Sequence, residues 1–215
     1  MQTIDDGQLR IVMDGPAGSY ANNIYIVIDT RTNEAAFIDA PGEPEKSIAA
    51  AEAAGVQPTQ ILLTHSHPDH TAGLAELQER FGARLVADAR EPWLTEGQPD
   101  QAISHGEDVR VGELSFKVVS VPGHTPGSTT YLHGRSAFVG DTLFPGGPGR
   151  TQSNADLQQE IASITGELHT LPEDTTIYPG HGDITTIGKS KEEYAGFAAR
   201  EHDPDLHGDV TWADS

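Results

Sequence analysis

The chain of 215 residues contains no cysteine. No disulfide framework can form and no thiolate is on hand, so any metal chemistry must use nitrogen and oxygen donors. Basic residues are scarce: 13 Lys and Arg stand against 33 Asp and Glu, a net charge of −20. Such a surface repels phosphate backbones and anionic bilayers, which argues against nucleic acid and membrane partners. No apolar run approaches the ~20 residues of a transmembrane helix. The start, Met1-Gln2-Thr3-Ile4-Asp5-Asp6, is acidic and lacks the apolar stretch of a signal peptide, so the cytoplasm is the expected compartment. The length suits one domain with a sizeable core.

What is present centres on Thr64-His65-Ser66-His67-Pro68-Asp69-His70. It follows the apolar run Ile61-Leu62-Leu63, which reads as a buried strand, and precedes a helical pattern from Thr71. His65 and His67 are two apart, so in extended backbone they point the same way. Pro68 then turns the chain and can bring Asp69 and His70 beside them. Imidazole and carboxylate are ligands for zinc, iron or manganese. One short loop can thus supply most ligands of two adjacent ions. The plain alternative is a solvated polar loop.

Around this cluster the pattern alternates between strands and helices. Strands are expected at 9–13, 24–28, 35–38, 60–63, 84–87, at 109, and at 114–121, 129–132, 136–139 and 175–178. Residues 14–18 read as a turn and 99–106 as a loop. Helices are expected at 44–54, with Pro44 in the first turn and Gly55 past the end, at 71–81 closed by Gly82, at 154–168 capped by Ser153 or Asn154, and at 190–200. Residues 88–97 admit a short helix capped by Asp88, with Trp93 packed beneath it. Two β-rich halves, each carrying helices, imply two sheets with helices outside. Residues 1–200 form the domain, and 201–215 an acidic, loosely held tail.

Three further strand ends carry ligand-type residues: Val121-Pro122-Gly123-His124-Thr125-Pro126-Gly127-Ser128, Val139-Gly140-Asp141-Thr142 and Tyr178-Pro179-Gly180-His181-Gly182. Alone, a loop His is usually polar surface and a loop Asp a turn-former. Together with His-Ser-His-Pro-Asp-His they resemble, in order, the motifs of the metallo-β-lactamase fold superfamily. That resemblance implies an α/β (α+β) fold, the αββα sandwich of two mixed sheets with helices on the outer faces. It also implies two divalent metal ions, zinc in the first instance, with iron or manganese as alternatives. By resemblance the first ion takes His65, His67 and His124, and the second takes Asp69, His70 and His181. Asp141 bridges them, and Asp69 doubles as the catalytic residue that orients a metal-activated hydroxide. His105, His133, His169, His202 and His207 lack this context and read as surface residues.

The stretches 140–151 and 171–188 resemble the glyoxalase II branch, in a short form without the C-terminal helical domain that grips glutathione. The implied activity is hydrolysis of a small-molecule acyl thioester. Two departures qualify it: little chain follows Gly188, and Gln152-Ser153-Asn154 replaces the branch's Asp-Leu-Pro after Thr151. Arg150 suits a substrate carboxylate or a structural ion pair equally. Competing expectations are a persulfide dioxygenase using one iron at His65, His124 and Asp141, a lactonase or β-lactamase, and a non-catalytic binding protein.

Overall fold

The computed structural model describes residues 1–215. The first sheet keeps chain order: β1 (Gln2–Asp6), β2 (Leu9–Ala17), β3 (Asn22–Asp29), β4 (Ala35–Ile38), β5 (Gln60–Leu62), β6 (Arg84–Asp88) and β7 (Gln101–Ile103). Antiparallel up to β4, it continues parallel to β7. The chain then runs through β8 (Asp108–Val111), β9 (Leu114–Ser120), β10 (Thr129–His133), β11 (Ser136–Gly140), a small ribbon of β12 (Leu143–Phe144) and β13 (Gly147–Pro148), β14 (Thr176–Pro179) and β15 (Thr185–Thr186). The second sheet has the order β15-β14-β11-β10-β9-β8 and is antiparallel except between β11 and β14. Helices α1 (Pro44–Ala54), α2 (Pro68–Thr71), α3 (Leu74–Phe81), α4 (Asn154–Gly166) and α5 (Ile187–Ala198) complete the chain. None is long and apolar enough to cross a membrane.

Alternation decides the layering. In β3, Tyr25 and Val27 face the second sheet, where they meet Phe138 and Tyr178, whereas Ile26 and Ile28 face outward. A strand buried on both faces reads as an unbroken apolar run, as residues 24–28 do. The outer face of the first sheet packs on Ala50 and Ala51 of α1 and Leu74 and Leu77 of α3. The second sheet packs on Leu157 and Ile164 of α4 and Ile187 and Phe197 of α5. Helix, sheet, sheet, helix is the expected sandwich.

Several boundaries move. The expected turn at 14–18 is a bulged continuation of β2, with the register slipping between Asp14 and Ala17. The expected helix at 71–81 breaks, because Gly73 N donates to Ala40 O rather than continuing one rod from α2 into α3. Asp88 ends β6 and residues 89–97 form turns and irregular loop, since Asp88 Oδ1 accepts from Arg90 N at 2.9 Å instead of starting a helix. Strand β7 lies inside the expected loop. Ser153 caps α4, and α5 starts earlier than expected, where Thr186 accepts from Lys189 N. The end of the chain is not loose: Val210 and Trp212 are buried among Leu157, Phe197 and Leu143, and Trp212 N donates to Gly146 O.

Candidate metal centre

Each ligand-type residue lies where a strand ends or just beyond it. His65 and His67 follow β5, Asp69 and His70 lie in α2, His124 follows β9, Asp141 follows β11 and His181 follows β14. Parallel neighbours end together, so strands from both sheets deliver these loops to one edge of the sandwich. The donor atoms form three overlapping groups, each with all its atoms within 4.8 Å of one another: His65, His67 and His124; Asp69, His70 and His181; and His65, His70 and Asp141. His67 Nδ1 is 2.8 Å from His124 Nε2. His181 Nε2 lies 3.2 Å from Asp69 Oδ2 and 3.3 Å from Asp141 Oδ2. Asp141 also presents Oδ1 to His70 Nε2 at 3.3 Å and Oδ2 to His124 Nε2 at 3.9 Å, so it stands between the two triads.

Four rings are oriented through the nitrogen on their far side. Asp39 Oδ2 is 2.8 Å from His70 Nδ1, Arg150 O is 2.9 Å from His124 Nδ1, Tyr20 O is 2.9 Å from His181 Nδ1, and Thr64 Oγ1 is 3.2 Å from His65 Nδ1. Such partners fix tautomer and direction, leaving the near nitrogen free to coordinate. The backbone is equally tight. A Cβ at Gly180 would stand 2.4 Å from Asp141 Oδ1 and 2.5 Å from His70 Cε1, so the Pro-Gly-His turn needs glycine to bring His181 in.

Burial and charge divide the site. Burial keeps the His65 imidazole well below its ordinary value, lowers His67, and takes His124 down to about 4. These three imidazoles are neutral at pH 7, the form that binds metal. Burial opposes ionisation of Asp69, but His181, His70 and Asn22 outweigh it and hold the carboxyl at about 2. Asp141 is likewise held well below the carboxylate range by His70 and His181 against burial. In return, His70 is raised well above its usual value and His181 to about 9, in both cases with Asp141 overcoming the effect of burial. A divalent cation fits between these groups, and one observation points to it: His65 Nε2 is buried with no hydrogen-bond partner.

A family model for the metallo-beta-lactamase superfamily matches residues 18–181. The chain belongs to the metallo-β-lactamase superfamily. It is 32% identical over 197 residues to the hydroxyacylglutathione hydrolase GloC of Haemophilus influenzae, covering 82% of this chain and 92% of that relative. Among solved metallo-β-lactamase folds, it superposes on ETHE1 from Myxococcus xanthus with a TM-score of 0.78 and 32% identity, covering 88% of this chain and 86% of that one. TTHA1623 in a di-iron-bound form gives a TM-score of 0.70 and 30% identity, over 81% of this chain and 94% of that one.

All seven residues singled out in the sequence come together here, and the five other histidines join none of the groups. Three of those five are not simple surface residues: His133, His169 and His202 are half-buried, with His169 on Ser190 Oγ and His202 stacked on Phe197. Arg150 is exposed, its guanidinium 3.9 Å from Asp209. Sequence reasoning missed Asn22, whose amide donates to Asp69 Oδ2 at 2.9 Å, and Glu91. It gave no role to Asp39, just past the strand expected at 35–38, and it mistook Trp93, which is 53% exposed and lies against the His67 ring with centroids 4.7 Å apart. Each acts through a partner distant in sequence, so no local motif marks it.

Proposed function

We propose that this metallo-β-lactamase-fold protein hydrolyses an acyl thioester at a binuclear metal centre. His65, His67 and His124 hold one ion, Asp69, His70 and His181 the other, and Asp141 touches both. The observation that carries the reading is the convergence of two complete ligand triads on Asp141. Similarity to a hydroxyacylglutathione hydrolase over 82% of the chain supports thioester chemistry. The nitrogen and oxygen donor set accepts zinc, iron or manganese.

When bound, such ions supply an acidified water and a Lewis acid for the acyl oxygen. The chain supplies the orientation. The Asn22 amide holds Asp69 Oδ2, and the ionised carboxyl accepts a hydrogen bond from the attacking water and aims it at the acyl carbon. As the new C–O bond forms, the C–S bond breaks and the sulfur leaves as thiolate, while the protons of the attacking water pass to bulk water and the thiolate as the product acid ionises. With an ordinary thiol pKa of about 8.5, that leaving group needs no general acid from the chain. A groove of 330 Å³ lined by Ser19, Tyr20, Asn22, Glu43 and Asp69 opens beside the site, a size suited to a small molecule. Its charged lining residues are both acidic, which disfavours the carboxylates of glutathione as the recognised feature.

A second reading is a persulfide dioxygenase with one iron at His65, His124 and Asp141; the likeness to ETHE1 from Myxococcus xanthus, at 32% identity, favours it. Elemental analysis of protein purified without added metal, paired with turnover of thioester, lactone and β-lactam substrates, tests both. Two ions and thioester turnover support the hydrolase. One iron with oxygen uptake replaces it.

A further inference from the structure

A carboxylate removed from water needs hydrogen-bond donors, and where those donors lie reveals what it holds. Glu91 is 5% exposed, and no cation pairs with it. Its Oε2 accepts from Ser66 N and, at 2.7 Å, from Ser66 Oγ; its Oε1 accepts from Thr125 Oγ1. Ser66 stands between His65 and His67, and Thr125 directly follows His124. Every side-chain bond of Glu91 therefore ends on one of the two loops that carry the first imidazole triad. The bonds continue outward: Ser66 Oγ accepts from Trp93 N, and Thr125 Oγ1 lies 2.7 Å from Ser128 Oγ. The fit is close, since a Cβ at Gly127 would meet Glu91 Oε1 at 2.8 Å.

We propose that Glu91 is the positioning residue that sets the spacing between the His65–His67 loop and the His124 loop, and so the geometry of the first ion's site. This rests on the binuclear reading above. The two loops spring from different sheets, the first from β5 and the second from β9. Apart from Glu91 and the 2.8 Å approach of the His67 and His124 rings themselves, they are tied by backbone-anchored bonds, Thr129 N on Thr64 O and the Tyr131 hydroxyl on Leu63 O. Those ties lie at the loop bases and survive loss of Glu91, so the fold stands while the ring spacing relaxes. Asp69, His70 and His181 share no hydrogen bond or ion pair with Glu91, so the second ion's site depends on it less.

Substitution separates positioning from bulk stability. In Glu91→Gln the new side chain would keep an oxygen for both Ser66 donors. Its amide would donate to Thr125 Oγ1, which can turn its own proton to Ser128 Oγ. Glu91→Gln should therefore rescue what Glu91→Ala loses. Thr125→Val cuts one arm of the clamp at constant volume.

The test titrates metal-stripped full-length protein with cobalt(II), read by visible absorption and equilibrium dialysis. Wild type should bind two ions. Glu91→Ala should bind one as tightly and the other roughly tenfold or more weakly, with a changed absorption band for that ion. Glu91→Gln should stay near wild type, and Thr125→Val should fall between. If Glu91→Ala fails to fold, the Thr125→Val and Glu91→Gln pair decides the matter by the same readout. Two ions bound with wild-type affinity and spectrum in Glu91→Ala and Thr125→Val would overturn the role of Glu91 alone. A wild type that binds no cobalt would overturn the binuclear reading and this role with it.

Discussion

Asp39 meets His70 in the buried floor of the site, with Oδ2 2.8 Å from Nδ1, while its Oδ1 accepts from Thr64 N at 2.7 Å. One carboxylate thus fixes the His70 imidazole and the first residue of the His-rich loop. Asp39 sits at φ +62, a left-handed backbone that Asp and Asn tolerate better than most residues.

Asp39→Asn keeps that backbone and the side-chain volume but removes the charge behind His70. Affinity for the ion held by His70 should fall by roughly 10–100-fold. Competition with a chromophoric chelator measures it. An unchanged affinity would show that His70 needs no such partner.

His67→Ala and Asp141→Asn probe different parts of the centre. His67 is half-buried, so its loss should abolish turnover and one ion while far-UV circular dichroism stays that of wild type. Asp141→Asn should weaken both ions, because the carboxylate faces both triads. Unaltered stoichiometry after dialysis would remove the bridging role.

Glu160 is fully buried behind the His124 loop, with Oε1 on Gly149 N and Oε2 unpartnered. Burial raises its carboxyl from 4.5 to about 9, with the Gly149 N–H opposing and Asp141 adding to the effect. The folded protein therefore keeps this proton while the unfolded chain gives it up. The stabilisation is fully present below about 4.5 and is lost as pH rises through about 9, on the order of 1 kcal/mol per pH unit in between. Glu160→Gln preserves the Gly149 bond and removes the titration. Melting of the metal-free proteins should show the variant gaining on wild type steadily from pH 5 to 8, an interval within that window; a constant difference would refute a neutral Glu160.

Trp212 tests whether the chain end belongs to the core. It is 2% exposed and packs on Phe197 and Tyr194, with ring centroids at 4.8 and 5.3 Å. Trp212→Ala should cost about 3–5 kcal/mol in denaturant unfolding, the range for large-to-small changes in a packed core. A change within experimental error would mean the segment adds nothing to the fold.

The sequence by itself indicated two sheets with helices outside, and its resemblance to the superfamily's motifs implied the sandwich and the seven ligand-type residues. Residues 24–28 and 61–63 are unbroken apolar runs, the pattern of a strand covered on both sides. His65, His67, Asp69, His70, His124, Asp141 and His181 each sit in a short Gly- or Pro-marked turn at a strand end, so the signal is local. The polar edge strand β1 and the two-residue strands β12, β13 and β15 carry no such periodicity and went unread.

Tertiary structure alone decided what holds those ligands. Asn22 reaches Asp69 across 47 residues, Asp39 reaches His70 across 31, and Glu91 reaches Ser66 across 25 and Thr125 across 34. A hydrogen bond has a partner only once the chain has brought it within about 3 Å. An isolated Asn, Asp or Glu in sequence therefore looks like any solvated polar residue. Trp93, between Pro92 and Leu94, and Trp212, between Thr211 and Ala213, make the same point for packing: one lies open against His67 and the other is sealed into the core. Their surroundings differ because the fold, not their neighbours in sequence, covers one and leaves the other at the mouth of the site.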